Sequence, residues 1–115
     1  MCPLEEIVRW NEERRLTAFS APAEYAMLLE ELQEFYVGYS NSDNAEMVDA
    51  LCDIMVLATG ALYKLGYDPQ AALLETTKEI NSRVGAFDED SGKWKKDPNQ
   101  DPSTLHKADY NSARR

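Results

Sequence analysis

Residues 45–65, AEMVDALCDIMVLATGALYKL, decide the fold. The stretch holds no proline, follows Asp43 and Asn44, and ends on Gly66. That is a long helix with a polar N-cap and a glycine stop. On a wheel at ~100° per residue, Met47, Val48, Leu51, Ile54, Met55 and Leu57 occupy most of the circumference. Glu46, Asp49 and Asp53 fall in one stripe about 60° wide, which Gly60 continues. A helix so apolar is expected to be largely buried, and Cys52 with it as a small buried residue. Three carboxylates in a row on such a helix repel one another and are costly to bury unpaired.

Working outward, residues 23–39 read as a second long helix, preceded by Ser20 and Pro22. Residues 4–15 follow Pro3 and carry Ile7, Val8 and Trp10, which marks a first helix. Residues 69–83 begin at Pro69 and form the last. No segment shows sustained strand alternation. From residue 86 the chain becomes rich in Gly, Pro, Asp, Asn, Ser and Lys, a tail pinned at Trp94, Leu105 and Tyr110. The expectation is therefore an all-α, four-helix-bundle-like single domain over residues 1–115. Its helical body covers about 3–85 and its irregular tail about 86–115. Four helices and a tail bury little surface alone, so a homodimer or homotetramer is expected.

The 115 residues hold 21 acids and 12 bases, a net charge of −9. Residues 1–80 carry 15 acids and 5 bases, whereas residues 81–115 carry 6 and 7. A surface this acidic argues against nucleic-acid polymers and anionic membranes as partners. No apolar run approaches the ~20 residues of a membrane span. The charged start lacks a signal-peptide core, and two cysteines make no disulfide scaffold, so a cytoplasmic setting is expected.

On the second helix Glu31 and Glu34 border the apolar arc, while Glu30 points toward solvent. No base lies between Arg15 and Lys64 to compensate these acids. A divalent cation would, and an oxygen-only donor set favours Mg²⁺, with Mn²⁺ as substitute. A di-iron site would require histidines on the helices, and the only histidine is His106 in the tail. EF-hand and P-loop patterns are absent. Carboxylate-held Mg²⁺ commonly serves phosphate chemistry, with a spare carboxylate taking a proton from water.

Several segments together carry a resemblance. They are Glu30-Glu31-Leu32-Gln33-Glu34, Glu46-Met47-Val48-Asp49 with Asp53 four residues on, and Leu65-Gly66-Tyr67-Asp68-Pro69. Ile80-Asn81-Ser82-Arg83-Val84-Gly85 and Ser91-Gly92-Lys93-Trp94-Lys95-Lys96 extend it. The chain resembles the all-α, MazG-like nucleoside triphosphate pyrophosphohydrolases, relatives of dimeric dUTPases and phosphoribosyl-ATP pyrophosphohydrolase. It looks most like their short phage-encoded branch. The resemblance implies a MazG-type fold and cleavage between the α- and β-phosphates of a nucleoside triphosphate, dGTP among the candidates. It implies Mg²⁺ on Glu31, Glu34, Asp49 and Asp53, with Glu31, Glu34 and Glu46 serving catalysis. The family spacing from aspartate to the Leu-Gly of the helix end selects Asp53 and puts Ala50 where a glutamate is expected. Either Glu46 with Asp49, or Asp49 with Asp53, then plays the second acidic motif.

Positive charge for the triphosphate falls to Lys78, Arg83, Lys93, Lys95 and Lys96, with Asn81 as an amide donor. Trp10 and Asn11 offer a ring and an amide for a base. His106 has no expected chemical role. A non-catalytic nucleotide-binding or helical interaction protein is the alternative, and metal dependence separates the two readings.

Overall fold

The structure, a computed structural model, describes all 115 residues, and they divide into two compact units. Residues 1–69 with Arg115 form the first, and residues 70–114 the second.

The first unit contains α1 (Pro3–Glu13), α2 (Ala21–Ser40) and α3 (Asn44–Lys64). Each starts where its sequence demands. Pro3 opens α1, Ser20 Oγ accepts from Ala23 N in α2, and Asp43 Oδ1 accepts from Glu46 N in α3. Gly66 ends the α3 turn with φ +98°, a conformation a β-carbon resists. A three-residue connection makes α2 and α3 antiparallel neighbours. At the turn end, Gly38 lets Glu46 and Met47 close in, and any β-carbon there would sit 3.0 Å from them. At the other end Lys64 Nζ meets Glu24 Oε1 at 2.7 Å in a largely buried ion pair. Helix α1 packs on α3, where buried Asn11 rests against Gly60 and donates to Ile7 O at 2.9 Å. Arg115 lies over the Tyr63 ring at 4.0 Å and donates to Tyr63 O.

The second unit is built on α4 (Pro69–Ser82). The tail that follows is more ordered than its composition suggests. Strands β1 (Gly85–Asp88) and β2 (Lys93–Lys96) pair antiparallel, with Phe87 directly opposite Trp94. The Asp88 carboxylate closes the turn by accepting from Asp90 N, Ser91 Oγ and Lys95 Nζ. Four-residue strands are too short to show a period of two, so the aromatic pair and this turn make the hairpin. Beyond it the chain runs back along α4. Gln100 Nε2 donates to Ser82 O, Ala108 N to Glu79 Oε1, and Asp109 N to Glu75 Oε1. Tyr110 Oη lies 3.0 Å from Thr76 Oγ1, so it pins the tail as expected.

His106 is not incidental: its Nε2 sits 2.9 Å from Glu75 Oε1, holding the tail to α4. Cys52, expected to be buried, is exposed. So are Val48, Leu51 and Met55, because the chain itself covers only part of α3.

Candidate metal centre

The helix register assembles the acids. Gly38 faces Glu46, so antiparallel progression sets Glu34 level with Ala50 and Glu31 level with Asp53. Ala50 is buried, and its small side chain lets the helices close at that level. Ligand oxygens of Glu31, Glu34 and Asp53 consequently lie within 4.8 Å of one another. Glu46 is seven residues from Asp53, about 10 Å along the axis, and lies outside this trio. Asp49 also lies outside it, exposed, yet its charge acts on Glu31.

No Lys, Arg or His pairs with the trio. Of the bases in the first unit, Lys64 is engaged on Glu24 and Arg9 on Glu13. Oε2 of Glu31 is buried and has no hydrogen-bond partner. Desolvation pushes the Glu31 carboxyl up to about 7, reinforced by a hydrogen bond and negative charge from Glu34 and by the charges of Asp53 and Asp49. An orphaned buried oxygen beside two further carboxylates fits a divalent cation: three hard oxygen donors, negative charge in excess, and no internal counterion.

Beside this face lies an open hollow of about 460 Å³ lined by Pro3, Glu6, Ile7, Trp10 and Val56. Val56 follows Asp53 by three residues, so the hollow opens one turn along α3 from the carboxylates. Trp10 is half exposed, with the Arg14 guanidinium 4.4 Å from its ring centre. Asn11, adjacent in sequence, instead points into the α1–α3 contact. The sequence reading found Trp10 but missed Ile7 and Val56. Ile7 was legible, three residues before Trp10 on the same face, whereas Val56 comes from a helix more than forty residues away.

The expected phosphate-binding residues all belong to the second unit. Lys78 pairs with Glu75 at 2.9 Å, Arg83 with Glu79 at 3.2 Å, and Lys95 with Asp88 at 2.9 Å. Lys93 and Asn81 are exposed, and Lys93 forms no ion pair.

Residues 11–79 match the phosphoribosyl-ATP pyrophosphohydrolase family, a span that contains the whole carboxylate trio, Asp49 and Trp10's neighbour Asn11. No curated protein and no solved structure matches the chain. No helix is long and apolar enough to cross a membrane.

Proposed function

The chain belongs to the phosphoribosyl-ATP pyrophosphohydrolase family, and from that premise we propose that it hydrolyses a nucleoside triphosphate to the monophosphate and pyrophosphate at the Glu31–Glu34–Asp53 centre. The family's chemistry is hydrolysis of a phosphoric anhydride with release of pyrophosphate, typically dependent on a divalent metal. The observation that carries the assignment to this centre is the buried, unpartnered Oε2 of Glu31 among carboxylates with no counterion.

Glu31, Glu34 and Asp53 would hold Mg²⁺, with Asp49 as an outer carboxylate. When bound, the ion supplies charge neutralisation for phosphate oxygens and acidifies water. Glu34 is the most exposed of the three, which supports a role for it in accepting a proton from attacking water. The Trp10 hollow offers an apolar face and a stacking ring for the base, one turn from the carboxylates. The resemblance to the phage branch extends the reading to nucleotide-pool control during infection, in the host cytoplasm, with dGTP among the substrates.

The test is a product assay with Mg²⁺ and each common NTP and dNTP, resolved by ion exchange. Monophosphate plus pyrophosphate from the wild type, lost in Asp53→Asn with helical content retained, is the expected result. Undiminished turnover in both Asp53→Asn and Glu34→Gln would overturn the site assignment.

A further inference from the structure

One face of α1 is built of Pro3, Glu6, Ile7 and Trp10, residues three and four apart. With Val56 of α3 they line the hollow of about 460 Å³. That volume is in the range of small-molecule sites, and a mostly apolar lining with one convergent polar group is their usual make-up. Glu6 is the charged member of the lining. Its carboxylate forms no hydrogen bond and no ion pair, because the bases that follow it on α1 are turned elsewhere. Arg9 meets Glu13 at 3.2 Å, and Arg14 lies over the Trp10 ring, 4.4 Å from its centre. A smaller hollow of about 290 Å³, lined by Arg9, Glu13 and Arg14, shares Glu6 and Trp10 with the first.

The first turn of a helix favours acids, and Glu5 and Glu6 both lie there. That preference accounts for either acid. It does not account for a carboxylate set among Pro3, Ile7, Trp10 and Val56, and Glu5 lines neither hollow.

A carboxylate accepts hydrogen bonds and donates none. Phosphate oxygens repel it, so this end of the site suits the uncharged base and not the triphosphate. Adenine, guanine and cytosine each carry an exocyclic amino group, which is a donor. Uracil, thymine and hypoxanthine have none and present carbonyl oxygens. With a base stacked on Trp10, an amino group would satisfy Glu6, whereas a carbonyl oxygen would leave it unpaired.

We propose that Glu6 is the specificity-determining residue of this site. Its carboxylate accepts from the exocyclic amino group of the base, so the chain prefers nucleotides of adenine, guanine or cytosine over those of uracil, thymine and hypoxanthine. The proposal rests on the reading above that the base occupies the Trp10 hollow.

Matched nucleotides test it. ATP and GTP are each compared with ITP, and CTP with UTP, so that every pair differs at an amino group. In the pair that holds the best substrate, kcat/KM should favour the amino-bearing member by about tenfold or more, the worth of one hydrogen bond to a charged acceptor. Glu6→Gln, whose amide also donates to a carbonyl, should bring that ratio close to one. Glu5→Gln should leave it as it is. A wild-type ratio of one or below, or a ratio that Glu6→Gln does not change, would overturn the proposal. If no nucleotide is hydrolysed at all, the hydrolase reading fails and binding decides this one. In a Trp94→Phe chain Trp10 is the remaining tryptophan. Its fluorescence should then be quenched at lower concentrations of GMP than of IMP, and of CMP than of UMP. Equal affinities within both pairs would overturn it.

Discussion

Glutamates on α4 and on α2 receive opposite treatment in this molecule. Glu75 and Glu79 on α4 are surrounded by donors. Glu75 accepts from Asp109 N, His106 and Lys78, and these hold its carboxyl down to about 2. Glu79 is lowered chiefly by the backbone amide of Ala108, with Arg83 adding to it. Glu31 on α2 has a buried oxygen with no donor, and its carboxyl rises to about 7. The difference teaches how to tell a carboxylate satisfied by its own chain from one that is not. A structural carboxylate is satisfied by its own chain, and the tail of this protein supplies donors to two of them. The other kind has no donor within the chain, and on the proposed reading a divalent cation would take that place.

That contrast can be broken most severely through turnover. Glu31→Gln should lower kcat by on the order of 10²–10⁴-fold, the range for removing a group that activates or positions a nucleophile. Glu75→Gln should leave kcat unchanged, and steady-state kinetics on the two variants checks both. Glu24 sharpens the comparison, because it is a buried carboxylate of the first unit that does have a cation. Lys64→Ala strips that partner and should cost about 3 kcal/mol or more in urea unfolding, with the acid trio untouched. Adding the missing partner to the trio should do the reverse. Mg²⁺ at 100 times its Kd should raise stability by about 2.7 kcal/mol, and Asp53→Asn should diminish the rise in a calorimetric scan.

The pH slopes should then oppose each other. For Glu31 the folded value lies above the unfolded 4.5, so without metal its contribution is fully present below pH 4.5 and is lost as pH rises through about 7. Tm of the metal-free protein should fall across that window, and Glu31→Gln should flatten the fall. For Glu75 the folded value lies below 4.5, so its contribution is present above pH 4.5 and is lost as pH falls toward 2. The protection of the Asp109 amide against exchange, taken relative to its intrinsic rate, should fall over that lower window. The smallest effect belongs to Lys78→Ala. Its side chain is half exposed, and the amide of Asp109 contributes more to Glu75, so tail protection should fall only slightly.

Much of this was legible in the residues alone. Caps and stops set the helices: Pro3, Ser20, Asp43, Gly66 and Pro69 mark boundaries by local chemistry, which needs no knowledge of neighbours. Helical periodicity likewise put Glu31, Glu34 and Asp53 among the ligand candidates and turned Glu30 outward. Other outcomes depended on which element met which. Among Glu46, Asp49 and Asp53, one helix face was all the wheel could offer. The antiparallel register, fixed where Gly38 admits Glu46, brought Asp53 level with Glu31 and carried Glu46 about 10 Å away. Cys52 and Met55 were expected inside because α3 is apolar all round. Their exposure depends on how many helices one chain supplies to cover it. His106 and the backbone amides of Ala108 and Asp109 found Glu75 and Glu79 across some thirty residues of sequence. Propensity and periodicity act within a turn or two of the chain, so the sequence determined the helices and their faces by itself. Which faces meet, at what level, and what remains uncovered are long-range questions that only the packing of those helices decided.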